Sequence, residues 1–158
     1  MAIDLSDLLD RGVTLIENSC SSRKTSILRL SGAMADKLDL DERQVFEAVM
    51  QREQLGSTGV GEGVAIPHAR MRGLEAPVGS LMRLSEPVEF DAVDERPCDL
   101  IFMLLAPDSA GADHLRALAQ VSRALRRADI RDALRKADSA EGLRQVLCRS
   151  NAVSSSAA

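Results

Sequence analysis

Gly56-Ser57-Thr58-Gly59-Val60-Gly61-Glu62-Gly63-Val64-Ala65-Ile66-Pro67-His68-Ala69-Arg70 places four glycines in its first eight residues and then changes character. Glycine favours backbone angles that helices do not use, so residues 56–63 form no regular helix. Val64-Ala65-Ile66 reads as a short apolar strand, and Pro67, which has no N–H to give a ladder, stops it. His68 is therefore expected at the end of a strand, beside a glycine-rich loop. Boundaries of this kind are where α/β folds place reactive groups.

The flanks supply the rest of the fold. Residues 4–10, rich in Asp and Leu, read as one or two helical turns, and residues 13–16 as a first strand. Asn18, Ser19, Ser21 and Ser22 offer loop and capping chemistry for a helix over 22–38, where Ile27, Leu30, Met34 and Leu38 recur at helical spacing. Asp41 and Gln44 form a capping box for a helix that buries Val45, Phe46, Val49 and Met50 and ends near 52–55. Downstream, strands are expected at 78–84 and 88–90, with Pro77 and Pro87 as punctuation. The unbroken apolar run Leu100–Leu105 fits a strand covered on both faces. Pro107, Asp108 and Ser109 open a helix carrying Leu115, Leu118 and Leu125. Two shorter helices follow, over 129–137 and 139–149. Strands flanked by helices predict one layered α/β domain over 1–150, and the small polar residues 151–158 read as a disordered tail.

Composition removes several functions. The chain has 158 residues, no Trp or Tyr, and Phe only at 46, 90 and 102, so a base-stacking platform is hard to build. Net charge is −4, and the densest basic stretch, Arg123 to Lys136, is interrupted by Asp129 and Asp132. It reads as a solvated helix face, and nucleic acid is not expected as a partner. Cys20, Cys98 and Cys148 are odd in number and form no CxxC pair, which suits a reducing compartment. The first residues, Met1 to Asp7, carry acids and no secretory pattern, and no apolar segment approaches bilayer length. A cytoplasmic protein with no direct membrane insertion is expected.

The chemistry centres on His68. Neutral imidazole is a competent nucleophile near neutral pH, and it can form a transferable N–P bond. Phosphoryl transfer asks the protein mainly for positioning and charge stabilisation. The amides of Gly61 and Gly63 can approach phosphate oxygens, Ser57 and Thr58 can add hydroxyl donors, and Arg52 can supply a fixed positive charge. No metal and no cofactor is required. Each residue also has a plainer role: Ser57 and Thr58 as turn formers, Arg52 beside a helix C-terminus, His114 at a helix start. Other motifs fail. Gly59-Val-Gly61-Glu-Gly63 lacks dinucleotide-fingerprint spacing, and no Gly-Lys-Ser/Thr follows. The two histidines stand 46 residues apart, with no Cys or carboxylate at zinc-ligand spacing. A nucleophile elbow is missing as well.

The run Arg52 to Arg70 resembles the active-site signature of enzyme IIA of the phosphotransferase system. The similarity is to the mannitol/fructose/nitrogen-regulatory family and closest to its nitrogen-regulatory branch. Pro87-Val-Glu-Phe-Asp-Ala-Val-Asp94, Asp99-Leu-Ile-Phe102 and His114-Leu-Arg-Ala-Leu118 agree with the same pattern, and the resemblance extends from about Leu5 to Leu147. It implies a three-layer α/β/α sandwich with a mixed sheet. His68 would be phosphorylated through Nε2, Arg52 would stabilise charge, and His114 would orient the phosphoryl group by hydrogen bonding. The implied donor is a small HPr-type phosphocarrier, itself charged by enzyme I from phosphoenolpyruvate. Implied targets are regulated proteins such as transporters or sensor kinases. The alternative is a sugar-specific IIA of the fructose or mannitol type that passes phosphate to a permease IIB domain. Two positions depart from the family. Glu62 replaces a frequent Asn and is expected either to bring negative charge near the phosphate, slowing phosphorylation, or to point outward. Ala69 replaces a frequent Gly and is expected to resist a positive φ.

Overall fold

Short polar side chains start the first three helices. Asp4 accepts from the Ser6 amide to begin α1 (Leu5–Arg11), and Ser22 accepts from the Thr25 amide to begin α2 (Arg23–Leu38). Asp41 accepts from the amides of Arg43 and Gln44 and opens α3 (Glu42–Leu55), so the capping role predicted for Asp41 is present. A computed structural model describes residues 4–156, with side chains to Ser150; residues 1–3 and 157–158 lie outside the described residues.

The strands are β1 (Thr14–Glu17), β2 (Gly59–Gly61), β3 (Val64–Ala65), β4 (His68–Met71), β5 (Val78–Val88) and β6 (Cys98–Pro107). After them come α4 (Ala112–Leu125), α5 (Ala128–Lys136) and α6 (Ala140–Ser156). The sheet runs β1-β5-β6-β3-β2, and β4 also pairs with β6. β1 is parallel to β5, and β3 and β4 are parallel to β6, whereas β5–β6 and β2–β3 are antiparallel. The sheet is therefore mixed.

Alternation along β6 divides the core. Ile101, Met103 and Leu105 face α2 and α3, packing with Ile27, Leu30, Met34, Val45 and Val49. Leu100, Phe102 and Leu104 face the other way, against Leu5 and Leu8 of α1, Val121 of α4, Leu134 of α5 and Leu147 of α6. The apolar run is covered on both faces, as expected, and the chain is a three-layer α/β/α sandwich.

Several boundaries differ from expectation. Residues 78–84 and 88 belong to one strand, β5, with a register shift between Arg83 and Val88. Pro87 lies in that irregular segment, where a missing ladder donor is tolerated, so it does not divide the strand; Phe90 lies past its end. Pro107 closes β6 instead of opening a helix, and α4 begins at Ala112 after Gly111, with φ 55° and no side-chain cap. α6 continues past 149 to Ser156, into the segment expected as a tail. Pro67 follows the end of β3, as expected, but the chain re-enters the sheet at once at His68, the first residue of β4 and not a strand end.

Candidate active site

β6 acts as a rail for the decisive stretch. Val64 and Ala65 pair with Leu100 and Ile101, while His68 to Met71 pair with Leu104 to Pro107. Between them Ile66 and Pro67 leave the ladder. The Ile66 amide donates to the Thr58 carbonyl at 3.0 Å, and the Leu104 amide donates to the Pro67 carbonyl at 3.0 Å. The Ile66 carbonyl is left for the His68 ring, whose Nδ1 lies 2.8 Å away. A carbonyl can only accept, so Nδ1 carries the proton and Nε2 keeps its lone pair. Burial pushes the ring's pKa below the ordinary imidazole value; the Ile66 carbonyl opposes this, Arg52 adds to it and Glu53 opposes it. At neutral pH His68 is uncharged, with its nucleophilic nitrogen fixed as Nε2.

Along β4, His68 and Arg70 face outward, while Ala69 and Met71 point into the core. The outward pair opens on a cleft between α3 and the start of α4, bordered by Gln51, Arg52, Leu55 and His114. His114, in the first turn of α4, is only 6% exposed. Its ring centroid is 5.6 Å from that of His68, with the planes 53° apart. Its Nδ1 is buried without a hydrogen-bond partner. Burial lowers its pKa, followed by the charges of His68 and Arg70. Arg52 donates from Nη1 to the Gly56 carbonyl at 3.0 Å, the helix-end role available to it, and still borders the cleft. The structure thus brings together His68, His114 and Arg52.

Ser57, Thr58, Gly61 and Gly63, the residues expected to bind phosphate, have structural roles of their own. The Ser57 hydroxyl donates to the Phe90 carbonyl. The Thr58 hydroxyl and amide both donate to the buried Glu53 carboxylate, the amide at 3.2 Å. Glu53 also pairs with Arg23 at 3.4 Å, and Arg23 reaches the Phe90 carbonyl at 3.3 Å. These bonds pin the glycine stretch to the segment after β5. Gly61, Glu62 and Gly63 have φ of 106°, 57° and 80°, so the glycines there serve the β2–β3 turn. That turn meets β6 four residues from the register of His68, about 13 Å along the strand.

The two departures also resolve. Glu62 pairs with Arg96 at 3.2 Å and donates its amide to Asp94 at 2.9 Å, so its charge is engaged at the turn and not beside His68. Its positive φ explains why Asn, which tolerates that region, suits the position. Ala69 sits in β4 and is not among the positive-φ residues, so the expected discomfort does not arise.

Two residues escaped the sequence reading. Glu53 follows Val45 and Val49 at four-residue spacing on the inward face of α3, a signal that it is buried and needs partners. Arg70 is two residues from His68, the period that puts both on one face of a strand.

A neutral imidazole nitrogen in an open cleft, next to a second histidine and two cations, has the chemistry to act as a nucleophile toward an anionic electrophile. Residues 7–150 match the family described as "Phosphoenolpyruvate-dependent sugar phosphotransferase system, EIIA 2", and the chain belongs to that family. Among its relatives, a nitrogen regulatory protein of Pseudomonas aeruginosa is 41% identical over 146 residues, covering 92% of this chain and 95% of the relative. A nitrogen regulatory protein of Bradyrhizobium diazoefficiens is 44% identical over 126 residues, covering 80% of this chain and 82% of that one. The solved structure of nitrogen regulatory protein IIA-Ntr from Neisseria meningitidis superposes with a TM-score of 0.84 at 36% identity, covering 90% of this chain and 98% of its own.

Proposed function

We propose that this chain is a cytoplasmic phosphohistidine carrier of the nitrogen-regulatory type, accepting a phosphoryl group from an HPr-type phosphocarrier onto Nε2 of His68. The observation that carries the reading is the 2.8 Å contact from Nδ1 to the Ile66 carbonyl, which leaves Nε2 unprotonated in the cleft. The Nε2 lone pair forms the new N–P bond while the donor's N–P bond breaks, and that electron pair returns to the donor's imidazole. The Nδ1–H stays on the Ile66 carbonyl, which stabilises the positive charge the ring gains on attack. Arg52 and His114 face the transferring oxygens as charge stabiliser and orienting group. The phosphoryl group adds about two negative charges to the cleft, enough to change its affinity for regulated partners such as transporters or sensor kinases. Relatives that carry the description nitrogen regulatory protein support regulation as the output.

The experiment supplies phosphoenolpyruvate, enzyme I and the phosphocarrier, and then maps base-stable label by peptide analysis. Label on His68 that disappears in His68→Ala is expected; label surviving in that variant overturns the assignment. The family's description also names sugar phosphotransfer, which keeps a sugar-specific role as the second reading. Rapid transfer of label from His68 to a permease IIB domain would favour that reading over regulation.

A further inference from the structure

Arg70 is exposed and shares the outward face of β4 with His68, about 7 Å away along the strand and within reach of a guanidinium. In the structure it donates from Nη2 to the Gly111 carbonyl at 3.3 Å, a long bond to a neutral acceptor. Gly111 precedes α4, has a positive φ, and is not stabilised by a side-chain cap. Three residues later the same helix supplies His114. Across the cleft Arg52 is held in the same way, by a single bond to the Gly56 carbonyl. Each guanidinium has five N–H groups, so most of its donors point to no protein acceptor.

We propose that Arg70 is both a holder of the phosphoryl group on His68 and the residue that reports it: on phosphorylation it leaves the Gly111 carbonyl for a phosphoryl oxygen and releases the loop 108–111. The inference rests on the carrier reading above. A doubly charged acceptor on the same strand face outcompetes a neutral carbonyl at 3.3 Å, because it adds charge–charge attraction and a bidentate geometry that a single carbonyl does not offer the guanidinium. Phosphorylation then does more than add charge. It loosens the entry to α4, where Leu115, the residue after His114, is 62% exposed. A regulated partner that reads this surface meets two different loops in the two states.

The test compares wild type with Arg70→Gln and Arg70→Lys, variants at an exposed position that leave the core intact. The equilibrium of label between phosphocarrier and His68 is measured, together with hydrogen exchange over 108–113 by mass spectrometry in both states. Wild type should show faster exchange there when phosphorylated. In Arg70→Gln exchange should be fast in both states, and the equilibrium should move roughly tenfold toward the carrier, as for one lost charge-assisted bond. Arg70→Lys should recover part of the equilibrium shift. An Arg70→Gln protein that keeps the wild-type equilibrium, or the phosphorylation-dependent step in exchange, overturns the role of Arg70 and leaves the carrier reading standing. A wild-type protein that takes no label on His68 overturns both.

Discussion

Residues 56–63 and 64–70 are halves of one run, and they treat their polar groups in opposite ways. In the first half Ser57, Thr58, the Glu62 amide and the Glu62 carboxylate are all engaged with Phe90, Glu53, Asp94 and Arg96. In the second half the Nε2 of His68 has no hydrogen-bond partner among the described residues, and facing it is His114 with an unpartnered Nδ1. Buried polar atoms are normally satisfied, so an unpartnered one beside an open cleft marks where chemistry has first claim. The glycines shape the backbone, and the histidines leave ring nitrogens without partners at the cleft.

Substitutions can break or sharpen this contrast. The largest effect is expected at His68: His68→Ala should remove all base-stable label while leaving the melting transition intact, and residual label would move the chemistry elsewhere. Glu53→Ala should do the reverse. Loss of the buried carboxylate leaves Thr58 and Arg23 without their partner, and chemical denaturation should show a loss of about 2–3 kcal/mol. A variant that kept its stability but lost phosphoryl acceptance would erase the division between the halves. His114→Ala should slow acceptance by roughly tenfold without abolishing it, the size of one orienting hydrogen bond, as read by rapid-quench labelling.

Acid should reveal the second half again. The folded pKa values of His68 and His114 both lie below the ordinary 6.5, mainly through burial, so below that pH the unfolded chain binds protons that the folded one refuses. The stability contributed by these two rings is complete above pH 6.5 and is lost as pH falls through their folded values. Acceptance by His68 should likewise hold steady from about pH 8 to 6.5 and decline only below it. A decline beginning above 6.5 would contradict the burial of the ring. The smallest effect belongs to the turn. Glu62→Asn should raise stability by roughly 0.5–1 kcal/mol, by relieving a left-handed backbone at a residue that dislikes it, with no change in phosphoryl acceptance.

Much of this was legible in the residues. The apolar run Leu100–Leu105 declared a strand buried on both faces, Ser22 and Asp41 marked helix starts, and His68 stood out beside Pro67. What was not legible depended on distant pairing. Whether Pro67 ends a strand or merely interrupts one is decided by Leu104, in another part of the chain. The glycines were ambiguous for a different reason: turns and anion sites exploit the same left-handed angles, so residue type cannot separate the two uses. Arg70 was passed over because its role depends on Gly111, brought near only by the pairing of β4 with β6.

The contact between the His68 ring and the Ile66 carbonyl has a consequence for regiochemistry. Because a main-chain oxygen occupies one side of the imidazole, the carrier reading proposed above directs reaction to the far nitrogen and allows a single phosphohistidine isomer. That choice is made by the backbone at a break in the sheet, so substitutions around the rim can alter speed and partner without altering which isomer is made.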